Sequence, residues 1–137
     1  MRVAAIDCGT NSLRLLVLER QPDGTIVELT RQLRLVRLGQ GVDTSGRFAP
    51  AALERTFVAL GEYADLLAEL AVDRVRFIAT SAARDVANAS ELTAGVARLL
   101  GVEAEIITGA QEAELTFEGA VAGLAAADPG HAGDPDP

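Results

Sequence analysis

Two apolar runs separated by six small or polar residues constrain this chain more than any other feature. Val3 to Ile6 is a short apolar stretch, Asp7-Cys8-Gly9-Thr10-Asn11-Ser12 interrupts it, and Leu13 to Leu18 resumes it. Apolar runs this short, bounded by a turn signal, read as buried strands. A tight turn between them would point successive backbone N–H groups and the Thr10, Asn11 and Ser12 side chains into one space. Gly9 would let an anion approach the backbone closely. Asp7, at the end of a strand, is placed to hold a metal ion through water. An ordinary polar hairpin turn would look the same at this point.

The rest of the chain builds around that pair. Gln21-Pro22-Asp23-Gly24 is a turn in which Pro presets one dihedral and Gly accepts a positive φ. It predicts a hairpin into a third strand over about Thr25 to Leu38, where Leu33 and Leu35 alternate with Gln32 and Arg34. Leu38 to about Gly46 reads as a loop. A helix opens near Pro50, a residue suited to a first helical turn, with Leu53, Phe57, Leu60, Ala64, Leu67 and Ala71 as its buried stripe. Arg74 to Thr80 reads as a fourth strand, and Ser81 onward as a short helical turn. Ser90 is placed as the N-cap of a helix carrying Leu92, Val96, Leu99 and Leu100 and stopped by Gly101. Val102 to Thr108 reads as a fifth strand, and after Gly109 a last helix aligns Ala113, Phe117, Ala120, Val121 and Leu124. The expected architecture is an α/β domain over residues 1–124. Its five-stranded mixed sheet joins a three-strand antiparallel meander to parallel strands and is flanked by helices. Residues 125–137 carry Asp, Pro and Gly but no large apolar residue, and read as a disordered tail or the start of an interdomain linker. His131 stands alone in that segment.

Composition narrows the chemistry. The formal net charge is -8, and all 12 basic residues are arginines. Without a lysine, a P-loop ending in Gly-Lys-Ser/Thr is excluded. An acidic chain is a poor non-specific nucleic-acid binder, so no nucleic acid is expected as partner. A polyanion would have to be held by local arginines, backbone N–H groups and metal ions. No run approaches the ~18 apolar residues of a membrane span, and the N-terminus is too short and acidic for a secretory signal. With Cys8 as the single cysteine, a cytoplasmic location and no membrane partner are expected.

Two further segments could join the first turn. Ala79-Thr80-Ser81-Ala82-Ala83-Arg84-Asp85-Val86-Ala87-Asn88 runs from a strand into small hydroxyl residues and a helix start, where Arg84 could make a bidentate phosphate contact. An Arg84–Asp85 surface pair is the plainer alternative. Ile107-Thr108-Gly109-Ala110-Gln111-Glu112-Ala113-Glu114-Leu115 again leaves a strand through Gly into a helix that opens with acidic residues. Those could simply complement the helix dipole. Strand carboxyl ends of a parallel sheet share one edge, so all three segments are expected to face one crevice.

Taken in order, these segments resemble the signatures of the Ppx/GppA phosphatase family. Asp7 to Ser12 with Leu13-Arg14-Leu15-Leu16 is similar to its opening phosphate loop, and Val36-Arg37-Leu38-Gly39-Gln40-Gly41-Val42 to its next signature. The Ala79–Asn88 and Ile107–Ala113 segments are similar to the two that follow. The first loop alone also occurs in sugar kinases and actin-like ATPases; the resemblance rests on all four and covers residues 1 to about 124. It implies an actin-like (ribonuclease H-like) fold and Mg-dependent release of terminal phosphate from polyphosphate or guanosine pentaphosphate by water attack. It further implies Glu112 as the catalytic carboxylate, Arg84 as a phosphate-contacting arginine, and Gly9, Thr10, Asn11 and Ser12 as the first phosphate loop. Gln111 departs from the pattern, since many members carry a second Glu there. The family continues into a second glycine-rich loop and a second similar domain, so the chain is expected to be inactive alone, to lack the second half of the enzyme as partner, and to form a homodimer through the apolar face left open. Half of an actin-like sugar kinase, or a non-catalytic phosphate or alarmone-binding module, are the alternative readings.

Overall fold

A computed structural model of the chain describes residues 1–79 and 83–107. Five strands and three helices follow in the order β1 (Arg2–Cys8), β2 (Ser12–Arg20), β3 (Ile26–Leu35), α1 (Val42–Ser45), α2 (Pro50–Glu69), β4 (Arg74–Ala79), α3 (Ala89–Leu100) and β5 (Ala104–Ile106). They form one five-stranded sheet in the order β3-β2-β1-β4-β5. The β1/β2 and β2/β3 pairs are antiparallel, and β1/β4 and β4/β5 are parallel. The expected meander plus parallel strands is therefore the observed sheet, with β1 where the two halves meet.

The uninterrupted apolar run of β1 is explained by burial on both faces. Ala4, Ile6 and Cys8 join Leu13, Leu15, Val17 and residues of α2 and α3 in the main core. Val3 and Ala5, pointing the other way, pack with Leu16 and Leu18. Alternate residues of a strand face opposite sides of the sheet, so a strand covered on both sides needs no polar residue. The β2–β3 turn closes as its residues require. Gly24 has φ 90, and the Asp23 carboxylate accepts from the Thr25 amide (3.0 Å) and hydroxyl (2.6 Å).

Several local expectations are corrected by packing. Strand β3 ends at Leu35, not Leu38. Val36 and Leu38 are buried at 2% and 0% exposure, while Arg37 between them has φ 50. Pulling both apolar side chains inward breaks the pleat there. Within β3 it is Leu33 and Leu35 that are exposed; Arg34, aligned with Leu13, lies instead with its guanidinium 5.7 Å from the Tyr63 ring centre. The expected loop at 38–46 contains the single-turn helix α1, flanked by Gly41 and Gly46 at φ 79 and 69.

Helix α2 does start at Pro50, but its buried face is Ala52, Leu53, Thr56, Ala59, Leu60, Tyr63 and Leu67. Phe57 and Ala64 are only partly buried. Thr56 and Tyr63 enter the core because their hydroxyls find acceptors, Ala52 O at 2.8 Å and Leu13 O at 2.7 Å. Ala71 falls beyond the helix, exposed at φ 53. Phe57 turns to α3, where the missing Cβ of Gly95 makes room for its ring. Asn88, not Ser90, precedes α3, and its side chain does not cap the helix. Gly101 ends α3 as expected, at φ 70 with its N–H on Ala97 O. Strand β5 is shorter than expected, Ala104–Ile106. The expected last helix, and the tail 125–137, lie outside the described residues.

Burial of Cys8 and Tyr63 has a measurable consequence. Burial, reinforced by the Asp7 charge, pushes the Cys8 thiol from 9.0 up to about 12. Burial likewise pushes the Tyr63 phenol from 10.0 up to about 12. Both groups are neutral when protonated and rise in the fold, so their stabilising contribution is complete below the unfolded-state values and fades as pH climbs toward 12. Thermal melts are expected to show a Tm that begins to fall above about pH 9, with Cys8 inert to a thiol reagent at pH 8 until the chain unfolds. A flat Tm from pH 8 to 11 would contradict this.

Candidate phosphate-binding site

Register across the parallel half of the sheet fixes where the site lies. Cys8 aligns with Ala79, and Ala79 with Ile106. Strands β1, β4 and β5 therefore end level at one edge, and the Ile107 amide still bonds Ala79 O at 3.0 Å. The turn 9–12 follows β1 at that edge, and β4 and β5 end there at Ala79 and Ile106. The carboxyl edge of parallel strands is the place where open α/β sheets bind ligands.

The 9–12 turn has a defined polarity. Gly9 N–H bonds Ser12 O at 3.0 Å and closes it. Asn11 O accepts from the Val36 and Arg37 amides, both at 2.9 Å, and Thr10 O accepts from the Gly39 amide at 2.9 Å. No peptide bond is cis among the described residues. In a trans peptide the C=O and the following N–H point in opposite directions. With the carbonyls of Thr10 and Asn11 directed at the 36–39 segment, the Asn11 and Ser12 N–H groups face away from it. Thr10 and Asn11 are themselves exposed. Successive backbone amides beside exposed hydroxyl and amide side chains are the kind of arrangement that can hold an anion. Gly39 permits the close approach, since a Cβ there would lie 2.4 Å from Thr10 Cγ2.

Asp7 stands one residue before the end of β1, directly opposite Arg14 on β2, and the two form an ion pair. Its carboxylate supplies a hard oxygen but is shared with a guanidinium. Among the described residues no group of three His, Cys, Asp or Glu side chains could hold a metal. Asp7 thus fits a magnesium ion only as a single or water-bridged ligand, with the remaining positions taken by water and phosphate, a common arrangement for that ion.

Arg84 is exposed, between buried Ala83 and Val86. Of the short helical turn expected from Ser81, the described part is a 3-10 helical Ala83 followed by Arg84 and Asp85 in a turn. Asp85 adopts φ 64, and α3 opens only at Ala89. Arg84 itself sits on the turn that follows Ala83. That turn is anchored by Ala87 N–H on Gly46 O at 2.9 Å and by Asn88. The Asn88 side chain accepts from Phe48 N at 2.7 Å, donates to Phe48 O at 3.1 Å and donates to Glu91 at 2.7 Å. Thr80, Ser81 and Glu112 lie outside the described residues.

Two organising residues were not singled out from the sequence. One is Asn88. The other is Arg55 of α2, whose guanidinium donates to Val36 O (2.9 Å), Arg37 O (3.3 Å) and Gln40 Oε1 (2.7 Å). Their partners are mainly backbone groups 18 to 40 residues away, which leave no local pattern to read.

The same chain has known relatives. It is 53% identical over 134 residues to exopolyphosphatase 2 of Mycobacterium tuberculosis, covering 92% of this chain and 42% of that protein. Among solved structures it is similar to an Aquifex aeolicus Ppx/GppA family member, with TM-score 0.76, 38% identity and coverage of 82% of this chain and 36% of the other. It is also similar to an exopolyphosphatase from Cytophaga hutchinsonii, with TM-score 0.80, 33% identity and coverage of 88% and 38%. The chain thus spans well under half the length of the relatives it matches. These neighbours share the actin-like fold expected above, and the Ppx/GppA phosphatase model matches residues 17–131. With a sheet of this order and four signature segments in sequence, the chain belongs to the Ppx/GppA phosphatase family.

Proposed function

We propose that this chain is the N-terminal, phosphate-handling part of an exopolyphosphatase-type hydrolase, which releases terminal phosphate from inorganic polyphosphate or guanosine pentaphosphate by water attack. The observation that carries this reading is the turn 9–12, whose Asn11 and Ser12 amides face away from the 36–39 segment at the level carboxyl edge of β1, β4 and β5. In this mechanism Gly9 lets a phosphate oxygen approach the backbone while the Asn11 and Ser12 amides and the Thr10 hydroxyl hold it. Arg84, from the neighbouring strand end, offsets charge on an adjacent phosphoryl group through a charge-assisted bidentate contact. Glu112 orients the attacking water and accepts its proton. Magnesium, when bound, neutralises charge on the polyanion, and Asp7 would hold it through water. The remainder of the cleft comes from the second half of the enzyme, and the isolated chain binds without turning over.

Phosphate release from long-chain polyphosphate, measured with and without that second half, tests the assignment. Release only when both halves are present is the expected result. Nucleotide-dependent phosphorylation of a sugar would indicate a kinase half, and binding with no release in either case a non-catalytic module.

Arg84→Ala is expected to weaken binding of inorganic tripolyphosphate by roughly 10- to 100-fold, the range for a lost hydrogen bond to a charged group. Arg31→Ala is the control, because Arg31 lies on edge strand β3 and is paired with Glu28. Equal effects in calorimetry would mean that Arg84 contributes only general charge.

A further inference from the structure

Residues Val36, Arg37 and Gly39 of the 36–40 arch each donate a backbone hydrogen bond to the phosphate turn, and one cation on another element holds the arch. Arg55 Nε donates to Val36 O, and one of its Nη atoms to both Arg37 O and Gln40 Oε1. The peptide whose carbonyl receives Arg55 Nε is the same peptide whose N–H, from Arg37, donates to Asn11 O. That Asn11 carbonyl in turn belongs to the peptide carrying the Ser12 N–H. A guanidinium, two peptide planes and the Ser12 amide are therefore connected in series. Hydrogen bonds in such a chain polarise one another, and a charge at its head strengthens each. Gly39 adds a parallel link through Thr10 O, with no room for a side chain between. The left-handed Arg37, φ 50, needs such support, since this conformation is unfavourable for a bulky residue.

We propose that Arg55 is a positioning residue for phosphate. By clamping the 36–40 arch it fixes the direction of the Asn11 and Ser12 amides, without touching the ligand itself. The ligand part of this proposal rests on the phosphate reading of the turn given above; the clamp part does not.

The test uses the 137-residue chain, Arg55→Met and Arg55→Lys, with two readouts. Amide hydrogen exchange follows the Arg37 and Gly39 N–H groups, and calorimetry follows inorganic tripolyphosphate. For Arg55→Met, exchange at Arg37 and Gly39 is expected to accelerate at least tenfold relative to amides in the middle of α3, with tripolyphosphate binding weakened about tenfold. Arg55→Lys, a point donor that cannot span three acceptors, should fall between wild type and Arg55→Met in both. Gly39→Ala is a second variant that leaves Arg55 in place but puts a Cβ against Thr10; it should weaken tripolyphosphate binding with little loss of global stability. Unchanged exchange in Arg55→Met would overturn the clamp. Faster exchange with unchanged binding would overturn its role in phosphate positioning. Failure of the wild-type chain to bind tripolyphosphate would overturn the phosphate reading and the ligand part, while exchange still decided the clamp.

Discussion

Glu112→Gln, in a chain completed with the second half of the enzyme, is expected to lose roughly 100-fold or more in turnover, the range for a removed general base. Hydrolysis of a phosphoanhydride needs a water aligned behind the phosphorus, and a carboxylate can both orient that water and accept its proton. Glutamine keeps the shape but leaves one acceptor oxygen and no charge, so orientation is degraded and the proton has no destination. Residue 112 matches the family's catalytic carboxylate by resemblance and follows a strand that ends at the site edge. The chain enters this segment at Ile107, on the sheet edge shared with the 9–12 turn and the Arg84 turn. Substrate affinity should survive, or tighten, because a negative charge beside a polyanion is gone. Glu114→Gln, two residues on, would fall on a different face of the helix expected from the sequence and should be nearly silent. Steady-state release from long-chain polyphosphate, with kcat and KM separated, checks this. An essential Glu114 beside a dispensable Glu112 would reassign the catalytic carboxylate.

Asn88→Ala carries the largest stability effect expected from a single polar change here. Asn88 is 6% exposed, and its amide meets both hydrogen-bonding groups of Phe48, accepting from N–H and donating to C=O. Phe48 is itself buried at 2%. Alanine would leave two backbone groups unpaired in the interior at ~1–3 kcal/mol each. A loss of about 3 kcal/mol, or on the order of 10 °C in Tm for a domain of this size, is expected. Asn88→Asp should be milder in one respect and worse in another. It retains the bond from Phe48 N–H but loses the one to Phe48 O and sets a second carboxylate beside Glu91. Because Asn88 and the Ala87–Gly46 bond anchor the Arg84 turn, tripolyphosphate binding should also weaken at temperatures where the variant is still folded. Denaturant unfolding gives the number, and a loss below about 1 kcal/mol would show that water or local relaxation replaces the amide.

Much of this protein is determined within short stretches of its chain. The Val3–Ile6 and Leu13–Leu18 runs flanking a polar turn, Asp23-Gly24 in the hairpin, Pro50 opening α2 and Gly101 closing α3 each act over a few residues, through sterics, turn geometry and apolar periodicity. The order of those elements is enough to give a meander followed by parallel strands, and hence a common edge for the chemical segments. The family, too, is legible in four linear motifs.

What only the tertiary structure decided are the choices between nearly equal local options. The buried face of α2 rotates to include Thr56 and Tyr63 because acceptors at Ala52 O and Leu13 O satisfy their hydroxyls. Phe57 moves aside because Gly95 on another helix offers it a hollow. Val36 and Leu38 end β3 early because burying both outweighs one more pair of ladder bonds and a strained Arg37. Arg84 sits on a turn because Asp85 adopts φ 64 and the bonds of Ala87 and Asn88 to Gly46 and Phe48 hold the segment there. Arg55 and Asn88 recognise backbone carbonyls and amides, which every residue possesses. Such partners carry no residue-type signal, so they are settled only when the fold brings the segments together.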